Sequence, residues 1–127
     1  MANTKVKLII NGVEIKAEFF DTECCKRIIK SLPIESNINE WGDEFYFTVG
    51  INMPLDNTAT TKVKAGDIGY WPPGDALAIF FGKTPISKGD DPVPASDVNI
   101  VGRLIDNPSI LKSLKGAKKI RIEKEQT

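Results

Sequence analysis

Short segments with β-strand patterning, separated by turn residues, run through most of the 127-residue chain and constrain its fold more than any other feature. The clearest case is the pair at residues 5–10 and 13–19, which Asn11 and Gly12 join. Side chains in the second segment alternate between apolar and charged, as in a sheet with one wet face. Asn-Gly at a two-residue connection is typical of a type I′ turn. These residues therefore predict an opening antiparallel hairpin.

Six further segments show strand patterning, at residues 44–49, 60–63, 68–71, 76–81, 98–104 and 118–123. Segment 76–81 is almost continuously apolar, which predicts a strand that is buried on both faces or borders a binding cleft. The last segment is rich in lysine, which predicts an exposed edge strand rather than a nucleic-acid surface. Residues 83–97 contain three prolines and no periodicity, so they predict a long surface loop.

Two short helices are predicted between the strands. Asp21 or Thr22 is a suitable N-cap for the first, and Pro33 ends its pattern of apolar residues at helical spacing. Asn107 followed by Pro108 marks the start of the second, with asparagine as the cap and proline at the first helical position.

Together these elements predict a mainly β fold, a closed antiparallel β-barrel of about eight strands with two short helices, as a single domain over residues 1–127. The chain has 17 basic and 17 acidic residues, so its charge gives no reason to expect nucleic-acid binding. No apolar run approaches the length of a membrane span, and the first residues lack the pattern of a signal peptide. We therefore expect a cytoplasmic protein that binds neither nucleic acid nor membrane.

The residues that are missing exclude several kinds of chemistry. The chain contains no histidine, so no catalytic triad or metal site that needs one can form within it. Its two cysteines, Cys24 and Cys25, are neighbours without the spaced partner that a disulfide or zinc motif requires, and burial on the first helix accounts for them. Asp90 and Asp91 lack the ligand series of a hard-metal site. We expect no metal and no cofactor.

The run from residue 66 to residue 85 contains Tyr-Trp-Pro-Pro-Gly at 70–74 and Phe-Phe-Gly at 80–82. This run resembles the signature of the small prokaryotic cyclophilin-like family. The order of elements is also similar to that of cyclophilins: a hairpin, a helix, an aromatic strand, a loop-rich middle, a Phe-Phe strand and a closing strand pair. The resemblance implies a cyclophilin-type barrel of eight strands, and the small family has no agreed activity to transfer.

The resemblance to cyclophilins does not extend to their catalytic equipment. Peptidyl-prolyl isomerases of that type carry an arginine on the first aromatic strand, glutamines on that strand and the Phe-Phe strand, and a histidine near the closing helix. Here no arginine lies between Arg27 and Arg103, and the single glutamine is Gln126. Phe81 matches the phenylalanine of the prolyl pocket, although strand alternation allows Phe80 to take that place. We expect no standard isomerase activity.

Six residues are candidates for a ligand-binding cleft: Glu44, Tyr46, Trp71, Phe80, Phe81 and Arg103. The prolines after Trp71 hold its backbone extended, so its ring is rigidly placed either to stack on a ligand or to pack at the barrel rim. Pro73 and Gly74 suit the central positions of a type II turn. Glu44 and Tyr46 share one face of their strand, which borders either the cleft or solvent.

Arg103 is one of three arginines and lies in a strand between apolar neighbours. Its guanidinium could bind a carboxylate or phosphate of a ligand. The alternative is a structural ion pair with Asp67, Asp75 or Asp106.

Three functions are compatible with the sequence. The favoured one is a module that binds a small molecule or a peptide segment. The second is an enzyme that uses the same cleft, either an atypical isomerase or a catalyst with Glu44 as an acid or base. The third is a subunit of a larger complex, with a protein partner or with further copies of the chain.

Overall fold

The structure is a computed structural model, and it describes residues 3–125. Within this range nine strands form one antiparallel sheet. They are β1 (Thr4–Ile10), β2 (Val13–Phe19), β3 (Ile34–Asn37), β4 (Asn39–Glu40), β5 (Glu44–Thr48), β6 (Asp67–Trp71), β7 (Ala76–Phe80), β8 (Asn99–Leu104) and β9 (Lys119–Lys124). Their order in the sheet is β3-β9-β1-β2-β8-β6-β7-β5-β4.

The sheet curls until its two ends approach each other. Near the open seam, the hydroxyl of Ser36 on β3 donates a hydrogen bond of 2.8 Å to the carbonyl oxygen of Thr48 on β5. The result is a nearly closed barrel. The prediction of a mainly β barrel is confirmed, with nine strands in place of about eight.

The opening hairpin is confirmed in detail. Asn11 has a φ of 51° and Gly12 a φ of 78°, and a type I′ turn requires positive values at both central positions. Ile10 pairs with Val13 across the turn, which sets the register of β1 against β2. Because strand side chains alternate, this register directs one face of both strands into the barrel. The buried residues of that face are Val6, Leu8, Ile10, Ile15, Ala17 and Phe19.

The first predicted helix is an α-helix, α1 (Glu23–Lys30), and Thr22 is its cap. The Thr22 hydroxyl accepts a hydrogen bond of 3.2 Å from the backbone N–H of Cys25. Among residues 3–125, no helix is long and apolar enough to cross a membrane.

The second predicted helix is a 3-10 helix, Pro108–Leu114, rather than an α-helix. Asn107 caps it as expected, since its side-chain oxygen accepts from the backbone N–H of Ser109 at 3.0 Å. Leu111 and Leu114 are its buried residues. Their spacing of three matches the three residues per turn of a 3-10 helix, which places both on the face that meets the barrel.

The strand assignment from the sequence was wrong in three respects. β3 and β4 were not expected, because both are short and polar. The segment at 60–63 is not a strand, since only Thr60 pairs there, in an isolated bridge with Val98. β9 is not an edge strand, because it lies between β1 and β3. The unexpected β3 therefore protects the edge that the lysines of β9 were expected to protect.

β7 is buried on both faces, which is the first of the two alternatives that its continuous apolar sequence predicted. Leu77 and Ile79 point into the main barrel core. Ala78 and Phe80 point the other way, into a smaller buried cluster with Val63 and Val98. Tyr46 and Trp71 pack against that smaller cluster from the outside. The smaller cluster is therefore the floor on which these two aromatic side chains rest.

Candidate ligand-binding site

A cavity of about 200 Å³ lies on the outer side of β5 and β7, above the smaller cluster. The side chains around it are mostly aromatic or aliphatic, with one carboxyl group. They belong to Trp41, Glu44, Tyr46, Trp71, Ala78, Pro94, Ala95 and Val98. Three of the six residues predicted for the cleft, Glu44, Tyr46 and Trp71, are therefore together at one cavity.

Strand alternation explains how β5 contributes to the cavity. Phe45 and Phe47 are fully buried in the barrel core, so Glu44 and Tyr46 project from the opposite face. β5 pairs with β7 in a register that sets Tyr46 opposite Ala78 and Glu44 opposite Phe80. The small Ala78 side chain leaves space beside the Tyr46 ring, and this space is part of the cavity.

Glu44 is buried in this apolar setting without a hydrogen-bond partner. The residue is 7% exposed, and its Oε1 atom contacts no donor within the described range 3–125. Burial raises the pKa of Glu44 from 4.5 to about 7, because desolvation penalises the charged form. An unsatisfied buried polar atom costs about 1–3 kcal/mol. The cavity thus contains a carboxyl group that can accept or donate a proton near neutral pH.

Trp71 is held in place from two sides. Its indole Nε1–H donates a hydrogen bond of 2.7 Å to the hydroxyl of Ser96. Gly74 lies against the ring, and a β-carbon there would come within 2.7 Å of two of its atoms. The ring centroids of Trp71 and Tyr46 are 6.4 Å apart at an interplanar angle of 75°, an edge-to-face arrangement. The predicted rigidity of Trp71 is consistent with these contacts.

The turn after Trp71 differs from the predicted type II turn. Pro72–Gly74 form one turn of 3-10 helix, and the residue with positive φ is Asp75, at 48°, rather than Gly74. The chain places the left-handed conformation one residue later because the Asp75 side chain is held by hydrogen bonds in that position. Asx residues tolerate this conformation better than most others.

The Asp75 carboxylate connects this turn to the neighbouring loop. Its Oδ1 atom accepts hydrogen bonds from the Tyr70 hydroxyl at 2.6 Å and from the backbone N–H groups of Ile51 at 3.0 Å and Asn52 at 2.9 Å. Burial opposes ionisation, but these bonds outweigh it and lower the pKa of Asp75. Burial and the bond to Asp75 raise the pKa of Tyr70 to about 12. The pair is a structural support next to the site.

Trp41 and the loop residues of the cavity were not found from the sequence. Trp41 follows β4, and its backbone N–H donates a hydrogen bond of 3.0 Å to the carbonyl oxygen of Glu44 across the turn into β5. Pro94 and Ala95 come from the predicted loop at 83–97. The sequence did contain a signal for Trp41, which directly precedes a Gly-Asp turn and an aromatic strand. Such a turn reverses the chain and places the tryptophan beside that strand.

The two phenylalanines are not part of the cavity lining. Phe80 is fully buried in the smaller cluster beneath the cavity. Phe81 belongs to the main core, where its ring meets that of Phe45 edge to face with centroids 4.8 Å apart. The Nζ atom of Lys115 lies 5.9 Å from the Phe81 centroid. The structure therefore exposes neither phenylalanine to the cleft.

Arg103 also lies away from the cavity, and its expected pairing with Asp67, Asp75 or Asp106 was wrong. Its Nε–H donates to Oε1 of Glu18 at 2.8 Å, and its side chain is 63% exposed. Glu18 on β2 and Asp67 on β6 both stand opposite Arg103, but the Asp67 Oδ2 atom accepts from the backbone N–H of Lys64 at 2.9 Å, which leaves Glu18 as the partner. An exposed cross-strand pair of this kind adds about 0.2–1 kcal/mol of stability.

The cysteines contribute to packing. Cys24 and Cys25 are fully buried free thiols, as their place on α1 predicted. The Cys25 thiol donates to the carbonyl oxygen of Val101 at 3.0 Å. Burial raises the pKa of Cys24 to about 11, so its reactive thiolate form is scarce at neutral pH. In the described part of the chain, no three cysteine or acidic residues converge as a metal site requires.

Comparison with known proteins agrees with this architecture. A family model described as cyclophilin-like matches residues 4–123. A hypothetical protein from Archaeoglobus fulgidus, whose solution structure is known, is 34% identical to this chain and superposes with a TM-score of 0.80. The alignment covers 97% of this chain and 95% of the archaeal one. No curated protein matches the sequence.

Proposed function

We propose that this chain, which belongs to the cyclophilin-like family, is a binding module. It accepts a small molecule or a short peptide segment in the cavity around Glu44. The similar archaeal protein is described only as hypothetical, so the proposal depends on the site and not on that protein. Folds of this kind host several functions, and the function has to be argued from the residues of the site.

The observation that carries the proposal is the unpartnered Glu44 carboxyl group in an aromatic cavity. A buried polar atom without a partner reduces stability, and such atoms are rare in folded proteins. A ligand that donates a hydrogen bond to the Glu44 carboxyl group would compensate for this missing bond. The rings of Tyr46 and Trp71 provide flat apolar surfaces beside it. A few polar groups converging in a mostly apolar cavity are typical of small-ligand sites.

Two observations argue against standard prolyl isomerase activity, one on the cavity lining and one on Phe81. The lining contains neither arginine nor glutamine, so it lacks the donors that stabilise a twisted amide in cyclophilins. Phe81, which the resemblance matched to the prolyl pocket, is 2% exposed and packs in the main core. Loss of a single donor to a transition state costs a factor of about 10²–10³ in rate. Proline could bind in such a cavity without faster rotation.

Ligand-detected NMR against a panel of metabolites and short peptides tests the proposal. We expect at least one compound to bind the wild-type protein and to lose binding in Ala95→Phe, which adds a ring to the cavity lining at an exposed residue. Ala65→Phe is the matched control, because Ala65 is exposed and is not part of the lining. Equal binding by both variants, or no binding by the whole panel, would contradict the proposal.

The second candidate is an enzyme that uses Glu44 as a general acid or base. The pKa of about 7 favours it, since a catalytic carboxyl works best when its pKa is close to the working pH. Besides Glu44, the cavity lining contains one ionisable side chain, Tyr46, and no basic residue. Turnover of a compound from the panel, abolished by Glu44→Gln, would favour this candidate over a binding module.

Assembly with a protein partner or with further copies of the chain stays a prediction. The large hydrophobic side chains exposed in the described residues are Leu55, Ile86, Ile105 and Ile110. Exposed residues of this kind are common on monomeric proteins. They give no preference for assembly over binding of a small ligand.

A further inference from the structure

The cavity presents one carboxyl group to a lining that is otherwise aromatic and aliphatic. Tyr46 is the only other titratable side chain in that lining, and Trp41 and Trp71 add two indole rings. The faces of such rings carry negative electrostatic potential and attract cations. An ionised Glu44 and the faces of the three rings all attract positive charge. The cavity therefore favours a cationic ligand.

Among residues 3–125, no basic side chain pairs with Glu44. Asp43, the preceding residue, is the group that pairs with Lys115, at 2.5 Å between Oδ1 and Nζ. Lys83, in the loop that follows β7, pairs with Asp90 at 3.8 Å. Desolvation is the whole cause of the raised pKa of Glu44, without a contribution from any neighbouring charge. Lys83 and Lys115 thus each pair with a carboxylate other than that of Glu44.

The size of the cavity limits the ligand group that it can enclose. Its volume is about 200 Å³. Drug-sized ligands occupy sites of about 300–1,000 Å³. A short alkyl stem with a terminal charged group fits this volume.

We propose that the cavity binds a compact organic cation, an alkylammonium or guanidinium group, with the Glu44 carboxylate as its counter-ion. This inference rests on the proposed function, because it names the chemical class of the ligand at the same site. The cation would lie beside the Glu44 carboxylate, whose Oε1 atom is buried without a partner among the described residues. Its apolar stem would lie against the rings of Tyr46 and Trp71. A free metabolite and a lysine or arginine side chain of a peptide offer the same group.

Binding of a cation depends on the ionisation of Glu44. At pH values below the Glu44 pKa of about 7, a bound cation has to displace the carboxyl proton, so its affinity falls about tenfold for each unit by which the pH is lowered. At pH values above this pKa the affinity is constant. The remaining charged groups near β5 have their own partners or lie outside the lining. Glu40 on β4 accepts from the backbone N–H of Gly116 at 2.6 Å, β7 has no ionisable side chain, and Asp97 in the adjoining loop is exposed.

Two nearly isosteric probes, n-butylguanidinium and the neutral N-butylurea, test the charge requirement. With the full chain at about pH 8, an NMR titration should show n-butylguanidinium binding at least about tenfold more tightly than N-butylurea. Glu44→Gln should remove this preference, since it keeps the shape of the side chain and removes the charge. Glu14→Gln, the same change at an exposed position of β2, should leave the preference intact.

A peptide arm distinguishes the two sources of the cation. N-acetyl-arginine methylamide that binds as tightly as n-butylguanidinium would support the proposal with a peptide side chain as the ligand. Much weaker binding of the peptide probe would support it with a free small cation.

Equal affinity for the charged and neutral probes in the wild-type protein would overturn the cation proposal and leave the proposed function standing. If neither probe binds, the cation proposal is wrong, and the metabolite panel then decides the proposed function independently. A charge preference that survives Glu44→Gln would also overturn the proposal, because another group would then be the counter-ion.

Discussion

Replacement of Glu44 by glutamine should change how the stability of the protein depends on pH. Glu44 is 7% exposed, and burial raises its pKa from 4.5 to about 7. Between those values the unfolded chain has lost a proton that the folded protein retains. The stability contribution of the protonated group is therefore complete below about pH 4.5 and is lost as the pH rises through about 7. Each pKa unit corresponds to about 1.4 kcal/mol, so the loss is about 3 kcal/mol.

Glu44→Gln removes this titration, because an amide does not ionise. The glutamine leaves buried donors in the same apolar cavity, and this penalty of about 1–3 kcal/mol does not vary with pH. The quantity to compare is thus the difference in unfolding free energy between variant and wild type at several pH values. We expect this difference to shift in favour of the variant by about 3 kcal/mol from about pH 4.5 to about pH 7.5. Histidine, absent from the chain, adds no slope in that range.

Urea denaturation followed by tryptophan fluorescence measures the effect. Glu14→Gln is the control, and its difference from wild type should stay within about 0.5 kcal/mol at every pH. A Glu44→Gln difference that is constant with pH, or a Glu14→Gln difference that follows the same curve, would refute the account of Glu44 as a buried carboxyl group without a partner.

Three further predictions concern prolyl isomerase activity, the turn at Asp75 and the orientation of the Trp71 ring. A protease-coupled assay on several Xaa-Pro peptides should detect no appreciable isomerase activity, and catalysis near that of a conventional cyclophilin that Trp71→Ala abolishes would contradict this. Asp75→Ala should cost about 3 kcal/mol of unfolding free energy at neutral pH, against less than about 0.5 for the exposed Asp97→Ala. Since the pKa of Asp75 is lowered, its contribution is present above the unfolded value and should disappear as the pH falls through the lower folded value. Gly74→Ala should displace the Trp71 indole and shift its N–H resonance. Gly89→Ala should not shift it, because a β-carbon at Gly89 would have no atom within 4 Å.

The regular elements of the fold could be predicted because their signals are local. Asn11 and Gly12 specify the first hairpin through their tolerance of positive φ, and Thr22 specifies the start of α1 through its side-chain cap. β3 and β4 have no such signal, because their few polar residues gain their pairing from β9 and β5. The position of β9 in the interior of the sheet depends on β3, so an error at one strand became an error at the other.

The site could be predicted only in part, for a similar reason. Strand alternation was enough to place Glu44 and Tyr46 on one face, and the prolines were enough to predict the extended backbone of Trp71. Arg103 was assigned wrongly because Glu18 and Asp67 both stand opposite it in the sheet, and the sequence does not show that the Asp67 carboxylate accepts from the backbone of Lys64 instead. Trp41 reaches the cavity through a turn between two strands, one of which the sequence did not reveal.

Protein-detected NMR during titration with a ligand from the panel tests the central claim most directly. The indole N–H resonances of Trp41 and Trp71 report on the cavity, since both residues belong to its lining. Lys7 and Arg121 line a separate, more polar surface pocket that contains none of the cavity residues. We predict that the two indole resonances shift with saturation while the backbone resonances of Lys7 and Arg121 do not. Shifts confined to Lys7 and Arg121, with both indoles unchanged by a ligand that binds, would contradict the account.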